Sequence, residues 1–278
     1  DEIGYTKAFS IMDRDDQKSL MNSVVADCEI DTSVRRFPKA DVLISIFSLV
    51  ENTGSTLEDL LEVRYPYFEE WGEEIARVEQ NYRKKKRQIN SMDFDDLLVL
   101  TLKLLQKNEE LRRLYQRRFQ YVLVDEFQDT NYVQSELVDL LIGEHQSLMV
   151  VGDDAQSIYS WRGADMENIL GFPDRYPDAK VYRIEKNYRS VPEILELSNA
   201  AIKANRNRFE KELHAARSGG AMMPALVALE EPDTQAQFVA QRIPQPRDEG
   251  VGLEERAGLY RAPHLSGDRE SVAEGQGG

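Results

Sequence analysis

Two adjacent carboxylates, Asp125 and Glu126, directly follow the apolar run Tyr121–Val124. If that run is a strand of a parallel sheet, its carboxyl end is where such sheets place their ligands. Asp125 could then hold Mg²⁺, and Glu126 could orient a water for attack on a phosphate. The plainer alternative is an acidic pair that only begins a loop. The longer string from Val124 to Thr130, which contains Gln128 and Asp129, is far rarer than the pair alone.

A second string of polar and aromatic residues follows the apolar run Leu148–Val151. It begins with Gly152, which permits a tight turn, and Gln156 is a neutral side chain that could respond to a terminal phosphate. Tyr159, Trp161 and Arg162 then offer aromatic faces and a cation to the bases of a single strand. The alternative is an aromatic pair buried in the core.

A third pair, Tyr188 and Arg189, comes just after the apolar run Val181–Ile184. The tyrosine could stack on a purine and the arginine could reach a phosphate. Alone, such a pair is a weak signal and is usually a surface feature.

The elements that must position these residues change in type along the chain. Residues 1 to about 90 have mostly helical spacing of apolar side chains, and Asp13 and Asp93 are candidate N-caps. From residue 119 onward, three apolar runs alternate with helical segments, one of them opened by Pro192. This order predicts buried parallel strands in a doubly wound α/β layer.

Composition limits the class of protein further. The 278 residues carry a formal net charge of −15, with 41% hydrophobic and 9% aromatic residues and a single cysteine, Cys28. These values exclude a wholly disordered chain, an internal disulfide and a basic coat protein for nucleic acid. Because affinity for nucleic acid follows local patches, the acidic total does not exclude a DNA enzyme. No apolar run is long enough to span a membrane and no signal peptide is recognisable, so we expect a cytoplasmic protein without a membrane partner.

Together, in this order and spacing, the three strings resemble motifs of the UvrD/PcrA/Rep-type superfamily 1 DNA helicases. The string beginning with Asp125 resembles the Walker B motif, Gly152–Ala164 the motif that couples ATP to single-stranded DNA, and Asn187–Ser190 the motif that opens the second motor domain. The supporting stretches Phe9–Asp13, Met92–Leu98 and Gln116–Phe119 agree with it. The likeness runs from about residue 4 to residue 243.

The resemblance implies an ATP-dependent motor that moves 3′-to-5′ on single-stranded DNA and acts at junctions of single and double strands. It assigns Mg²⁺ binding to Asp125 and activation of the attacking water to Glu126. Gln156 would sense the γ-phosphate, Tyr188 would stack on the adenine and Arg189 would contact the γ-phosphate. Tyr159 and Trp161 would stack on DNA bases, with Arg162 supporting their loop. The cofactors implied are ATP and Mg²⁺.

One expected motif is missing. The family uses a loop ending in Gly-Lys-Thr or Gly-Lys-Ser to cradle phosphates, and this sequence contains no Gly-Lys dipeptide. We therefore expect a central fragment of a helicase, truncated at both ends and without ATPase activity on its own, and we expect its incomplete sheet to make it marginally stable. A different class of function stays open, a non-catalytic module that binds single-stranded DNA or a protein partner.

The family layout predicts an α/β fold, a RecA-like P-loop NTPase sheet with a helical insertion domain. The predicted domains are the helical insertion (residues 1–100), the later part of the first motor domain (101–185), the start of the second motor domain (186–243) and a degenerate, poorly ordered tail (244–278). The basic run Arg83–Arg87 could follow a DNA backbone or form a solvated helix face. The same two interpretations apply to Lys203, Arg206, Arg208 and Lys211. The sequence leaves the protein partners, the oligomeric state and the repair or replication pathway open.

Overall fold

The computed structural model describes residues 2–31, 36–220, 222–242 and 252–259. The chain forms two compact units, the first of residues 1–185 and 200–212 and the second of residues 186–199 and 213–278. The chain therefore leaves the first unit after residue 185, returns to it for residues 200–212, and leaves it again.

Helices make up most of the first unit. They are α1 (Arg14–Asp27), α2 (Ala40–Thr53), α3 (Leu57–Arg64), α4 (Gly72–Gln88), α5 (Phe94–Lys107), α6 (Glu109–Arg118), α7 (Tyr132–Ile142), α8 (Glu167–Leu170) and α9 (Phe172–Arg175). Helix α10 (Pro192–Ile202) begins in the second unit, which also contains α11 (Pro232–Arg242). None of the described helices is both long and apolar enough to cross a membrane.

Local sequence signals explain where several helices begin. Asp13 and Asp93 are the N-caps of α1 and α5, and each forms a capping box with the aspartate three residues on. The predicted helix starts at both residues are confirmed. The region predicted to be mostly helical is interrupted at Pro66, where a 3₁₀ turn separates α3 from α4, because proline has no N–H for the helix ladder.

The main hydrophobic core lies among α1 to α4. Its fully buried side chains include Met21, Leu43, Ile46, Leu61 and Ile75. A second apolar contact joins α5 to α7, where Val99 and Leu102 pack on Val133. Helix α5 is thereby connected to the segment that carries the first acidic motif.

A short parallel strand pair joins the two ends of the helical region. Strand β1 (Ser10–Ile11) pairs with β2 (Ser91–Met92). Thr6 N also donates to the side chain of Asn90 at 2.9 Å. The segment 12–90, which contains α1 to α4, therefore begins and ends at neighbouring positions within the first unit.

The two predicted strands next to the acidic and aromatic strings are present and parallel. Strand β3 (Val122–Val124) pairs in register with β4 (Leu148–Val150), and α7 connects them. The prediction that both are buried is wrong, because Leu123 is 72% exposed and Met149 57% exposed. One face of this pair is covered and the other is open among the described residues.

The third predicted strand, Val181–Ile184, is not formed, and its apolar side chains are exposed. No described strand pairs with it, and an extended segment without a neighbour leaves its backbone groups to solvent. In the second unit, β5 (Lys186–Asn187) pairs in parallel with β6 (His214–Ala215). The described strands thus form three parallel pairs in a helix-rich α/β fold, and a single doubly wound sheet is not formed by them. The RecA-like arrangement and the domain boundaries stay predictions.

The predicted poorly ordered tail lies largely outside the described residues. Within it the structure describes residues 252–259, which contain the 3₁₀ turn Leu253–Glu255.

Candidate functional site

The two predicted catalytic carboxylates lie at the carboxyl edge of the β3–β4 pair. Asp125 and Glu126 are both exposed, and Glu126 N donates to Asp125 Oδ1 at 2.9 Å. The backbone of Glu126 has φ 51° and ψ 41°, a left-handed conformation that is uncommon outside glycine and clusters at functional sites. The buried Phe127 fixes this turn, since its N–H donates to the carbonyl of Val151 at 2.9 Å.

Gln128, which sequence reasoning did not assign a role, links the acidic turn to the loop after β4. Its side chain is fully buried. Nε2 donates to Glu126 Oε2 at 2.8 Å and to Asp129 Oδ2 at 3.2 Å, while Oε1 accepts from Asp153 N at 3.0 Å. Burial and the nearby Glu126 carboxylate raise the pKa of Asp129. Gln128 therefore supplies a donor to the acidic cluster and an acceptor to the second loop.

Gly152 is needed for this link because a side chain would not fit at this position, and not because the backbone has a positive φ. A Cβ at residue 152 would lie 2.5 Å from Gln128 Oε1 and 2.6 Å from Ile169 Cδ1. Only a residue without a side chain lets the loop after β4 approach Gln128 this closely.

The predicted phosphate sensor, Gln156, lies on the same loop and is exposed. Its Nε2 donates to Asp153 Oδ2 at 2.9 Å, and Asp153 Oδ1 accepts from Ala155 N at 3.0 Å. Asp125, Glu126 and Gln156 are therefore connected through the buried side chain of Gln128 and the backbone of Asp153.

The predicted aromatic residues lie on the continuation of this loop. Tyr159 is 40% exposed and Trp161 is 61% exposed, so the alternative of a buried aromatic pair is wrong. The Arg162 guanidinium lies over the Trp161 ring, 5.5 Å from its centroid. Gly163, at φ 90°, ends the 3₁₀ turn that carries them in the left-handed conformation.

These three side chains line a groove of about 800 Å³ in the first unit. Its other walls come from α1 to α3 and α5 and include Arg14, Arg64 and Phe94, the last being 62% exposed. The carboxylates of Asp95 and Asp129 also line it. The groove combines aromatic faces with guanidinium groups, a combination that suits a flexible strand of stacked bases and phosphates.

A chain of amide and carboxylate side chains fixes the aromatic loop relative to the helical region. Asn52 Nδ2 donates to Asp95 Oδ1 at 2.8 Å, and Asn52 Oδ1 accepts from Asn131 Nδ2 at 2.8 Å. Asn131 in turn forms a β-bridge with Ala164, just after the aromatic turn. Asn52 and Asn131 are buried, so the hydrogen bonds that hold the aromatic loop in place are shielded from water.

The basic run on α4 is divided between the interior and the surface. Lys86 is 4% exposed and pairs with Asp93 at 2.7 Å and Asp96 at 2.6 Å. Burial would lower the pKa of Lys86, but the two carboxylates outweigh it and raise the pKa above its usual value. Arg83 bridges Glu51 and Glu79. Neither interpretation, a DNA-binding run or a solvated face, describes the buried Lys86, while both stay open for the exposed Lys84 and Arg87.

Tyr188 and Arg189 belong to the second unit. Asn187 Oδ1 accepts hydrogen bonds from Arg189 N at 2.9 Å and Ser190 N at 2.8 Å, which shapes a tight turn after β5. Tyr188 is 71% exposed, with Lys186 Nζ 5.4 Å from its ring centroid. An exposed ring is compatible with stacking on a purine and with an ordinary surface residue, so the predicted role of Tyr188 stays a prediction.

No group of three or more histidine, cysteine, aspartate or glutamate side chains is arranged to hold a metal among the described residues. Mg²⁺ is commonly held by one or two carboxylates together with waters and phosphate oxygens. The exposed carboxylates of Asp125 and Glu126 fit that mode of binding.

Comparison with known proteins shows the family to which the chain belongs. A family model described as the UvrD/REP helicase N-terminal domain matches residues 1–177, so the chain belongs to the UvrD/REP helicase family. The ATP-dependent DNA helicase PcrA of Staphylococcus epidermidis is 39% identical over 261 residues, which cover 94% of this chain and 35% of that protein. The PcrA of Staphylococcus aureus is 37% identical over the same shares. The chain thus spans about a third of the length of these curated relatives.

Proposed function

We propose that the chain is part of an ATP-dependent 3′-to-5′ DNA helicase or translocase of repair or replication, with its helical region as the insertion in a RecA-like first motor domain. The observation that supports this most directly is the link between two motifs in one unit. The acidic turn of Glu126 and the loop that carries Gln156 and Trp161 share the buried side chain of Gln128. A movement of the Glu126 carboxylate would therefore be transmitted through Gln128 to the loop that lines the groove.

The residues fit the cofactors that the family implies. Asp125 would hold Mg²⁺, Glu126 would orient a water, and Gln156 and Arg189 would contact the terminal phosphate of ATP while Tyr188 stacks on its base. Mg²⁺ would supply charge neutralisation at the phosphates. Because the sequence has no Gly-Lys dipeptide for a phosphate loop, we propose that the chain alone does not hydrolyse ATP.

The groove lined by Tyr159, Trp161 and Arg162 is the proposed binding site for single-stranded DNA, and it supports the alternative function as well, a binding module without catalysis. Trp161→Ala tests this proposal, with Tyr67→Ala as the matched control because Tyr67 is 92% exposed and does not line the groove. The readout is the fluorescence anisotropy of a labelled oligo(dT) at two salt concentrations.

We expect the wild-type chain and Tyr67→Ala to bind oligo(dT) with an affinity that falls as salt rises. Trp161→Ala should bind about tenfold more weakly, in line with the loss of one base-stacking surface. Equal binding by both variants would refute the groove as the site. DNA-stimulated ATP hydrolysis that is abolished by Glu126→Gln would instead refute the proposed inactivity of the chain.

A further inference from the structure

Lys211 forms ion pairs with two carboxylates of the Gln156 loop. The amino-acid sequence does not distinguish it from the other basic residues nearby. Its Nζ pairs with Asp153 and lies 2.9 Å from Asp154 Oδ1. The Lys211 side chain is 19% exposed and that of Asp154 only 2%. A cation at this depth is held by its partners rather than by water.

The two carboxylates depend on this lysine. Asp153 and Asp154 are adjacent in the chain, and Asp154 Oδ2 is buried without a hydrogen-bond partner among the described residues. Burial would raise the pKa of Asp153, but the hydrogen bonds from Lys211 and Gln156 outweigh it and lower the pKa below its usual value. Without Lys211, two neighbouring negative charges would share a largely dry site.

Asp153 in turn holds the side chain of Gln156 through a hydrogen bond. Oδ1 of Asp153 faces Lys211 and Ala155 N, so Oδ2 is turned toward Gln156 Nε2. The backbone N–H of Asp153 is held by Gln128. The position of the Gln156 amide therefore rests on an aspartate that is fixed from two sides.

We propose that Lys211 is a positioning residue for Gln156, and that it connects the Gln156 loop to the chain segment 200–212, which continues at both ends into residues of the second unit. The role of Gln156 in sensing nucleotide is that of the proposed function, on which this inference rests. A displacement of the segment would change the hold on Asp153 and hence the orientation of the Gln156 amide.

The test compares Lys211→Met with Lys203→Met, which removes an exposed lysine from the same segment. Hydrogen–deuterium exchange reports on the backbone amides of Ala155 and Gln156, which donate to the side chain and the carbonyl of Asp153. Lys211→Arg serves as the rescue, because it keeps the charge. Lys211→Gln keeps a donor without the charge and serves if Lys211→Met does not fold by circular dichroism.

We expect Lys211→Met, or Lys211→Gln in its place, to speed exchange at Ala155 and Gln156 by about tenfold, the order expected for losing a hydrogen bond to a charged group. Exchange should stay at the wild-type rate in Lys203→Met and return toward it in Lys211→Arg. Unchanged exchange at these two amides in the Lys211 variants, or faster exchange spread evenly over the whole unit, would overturn the proposal. Faster local exchange in a chain that does not bind oligo(dT) would support the positioning role while refuting the proposed function.

Discussion

Replacing Gly152 with alanine tests the contact between the two motifs directly. The new Cβ would lie 2.5 Å from Gln128 Oε1 and 2.6 Å from Ile169 Cδ1, distances at which both side chains must move. Because Gln128 is fully buried, it has no space on the solvent side into which it can move. Its displacement would break the hydrogen bonds to Asp153 and Glu126.

Two contributions set the magnitude of this effect. Overpacking in a well-packed site costs about 1–3 kcal/mol, and a buried polar group left without its partner costs about 1–3 kcal/mol more. We therefore expect Gly152→Ala to lower the free energy of unfolding by about 2–6 kcal/mol. The assay is urea unfolding monitored by circular dichroism at 222 nm, a wavelength at which the signal measures helix content.

Gly72→Ala is the matched control. Gly72 is the first residue of α4, and a Cβ there would meet Leu61 Cδ1 at 3.9 Å, an ordinary contact. This variant should be neutral or more stable by about 0.4–1 kcal/mol. A Gly152→Ala protein within about 0.5 kcal/mol of the wild type, the range of an ordinary surface substitution, would refute the reasoning.

Two further predictions concern the buried charges of the helical region. Lys86→Met should cost about 3–5 kcal/mol at pH 7, because Asp93 and Asp96 lose the cation between them, whereas the exposed Lys84→Met should be neutral; equal urea midpoints would contradict this. Burial, opposed by Arg83, raises the pKa of Glu51 from 4.5 to about 7. Since the folded state then binds the proton more tightly than the unfolded state, stability should fall as pH rises from about 4.5 through about 7. Glu51→Gln should remove that part of the decline, which thermal unfolding at pH 5 and pH 8 measures, and an unaltered pH profile would exclude Glu51 as its source.

Local features of the site were predictable because they depend on residues close in sequence. The capping boxes of Asp13 and Asp93 need only the aspartate three residues on. The placement of Asp125 at a strand end needs only an apolar run followed by acidic residues. In both patterns the residues that cause the structure lie within a few positions of one another in the sequence.

Contacts between distant residues could not be read in the same way. Nothing in the sequence pairs Lys211 with Asp153, or Asn52 with Asn131, because an ion or amide pair across a fold leaves no periodic pattern. Gln128 carried a weaker signal, a neutral amide between two acidic residues. The run Val181–Ile184 shows the converse error, since apolar residues favour a strand but do not provide the neighbour that a strand requires.

The β1–β2 pair has a consequence for how the helical region can vary. Because Ser10 and Ser91 are paired, residues 12–90 can vary in length while the two ends of the segment stay neighbours, provided that the contacts of Asn52 and Lys86 with the rest of the unit are kept. Parallel strands, however, cannot be joined by a tight hairpin and need a crossover of a dozen or more residues. Any replacement segment must therefore run back along the length of the strand before its end can pair with β1. This requirement sets a minimum length for a transplanted segment.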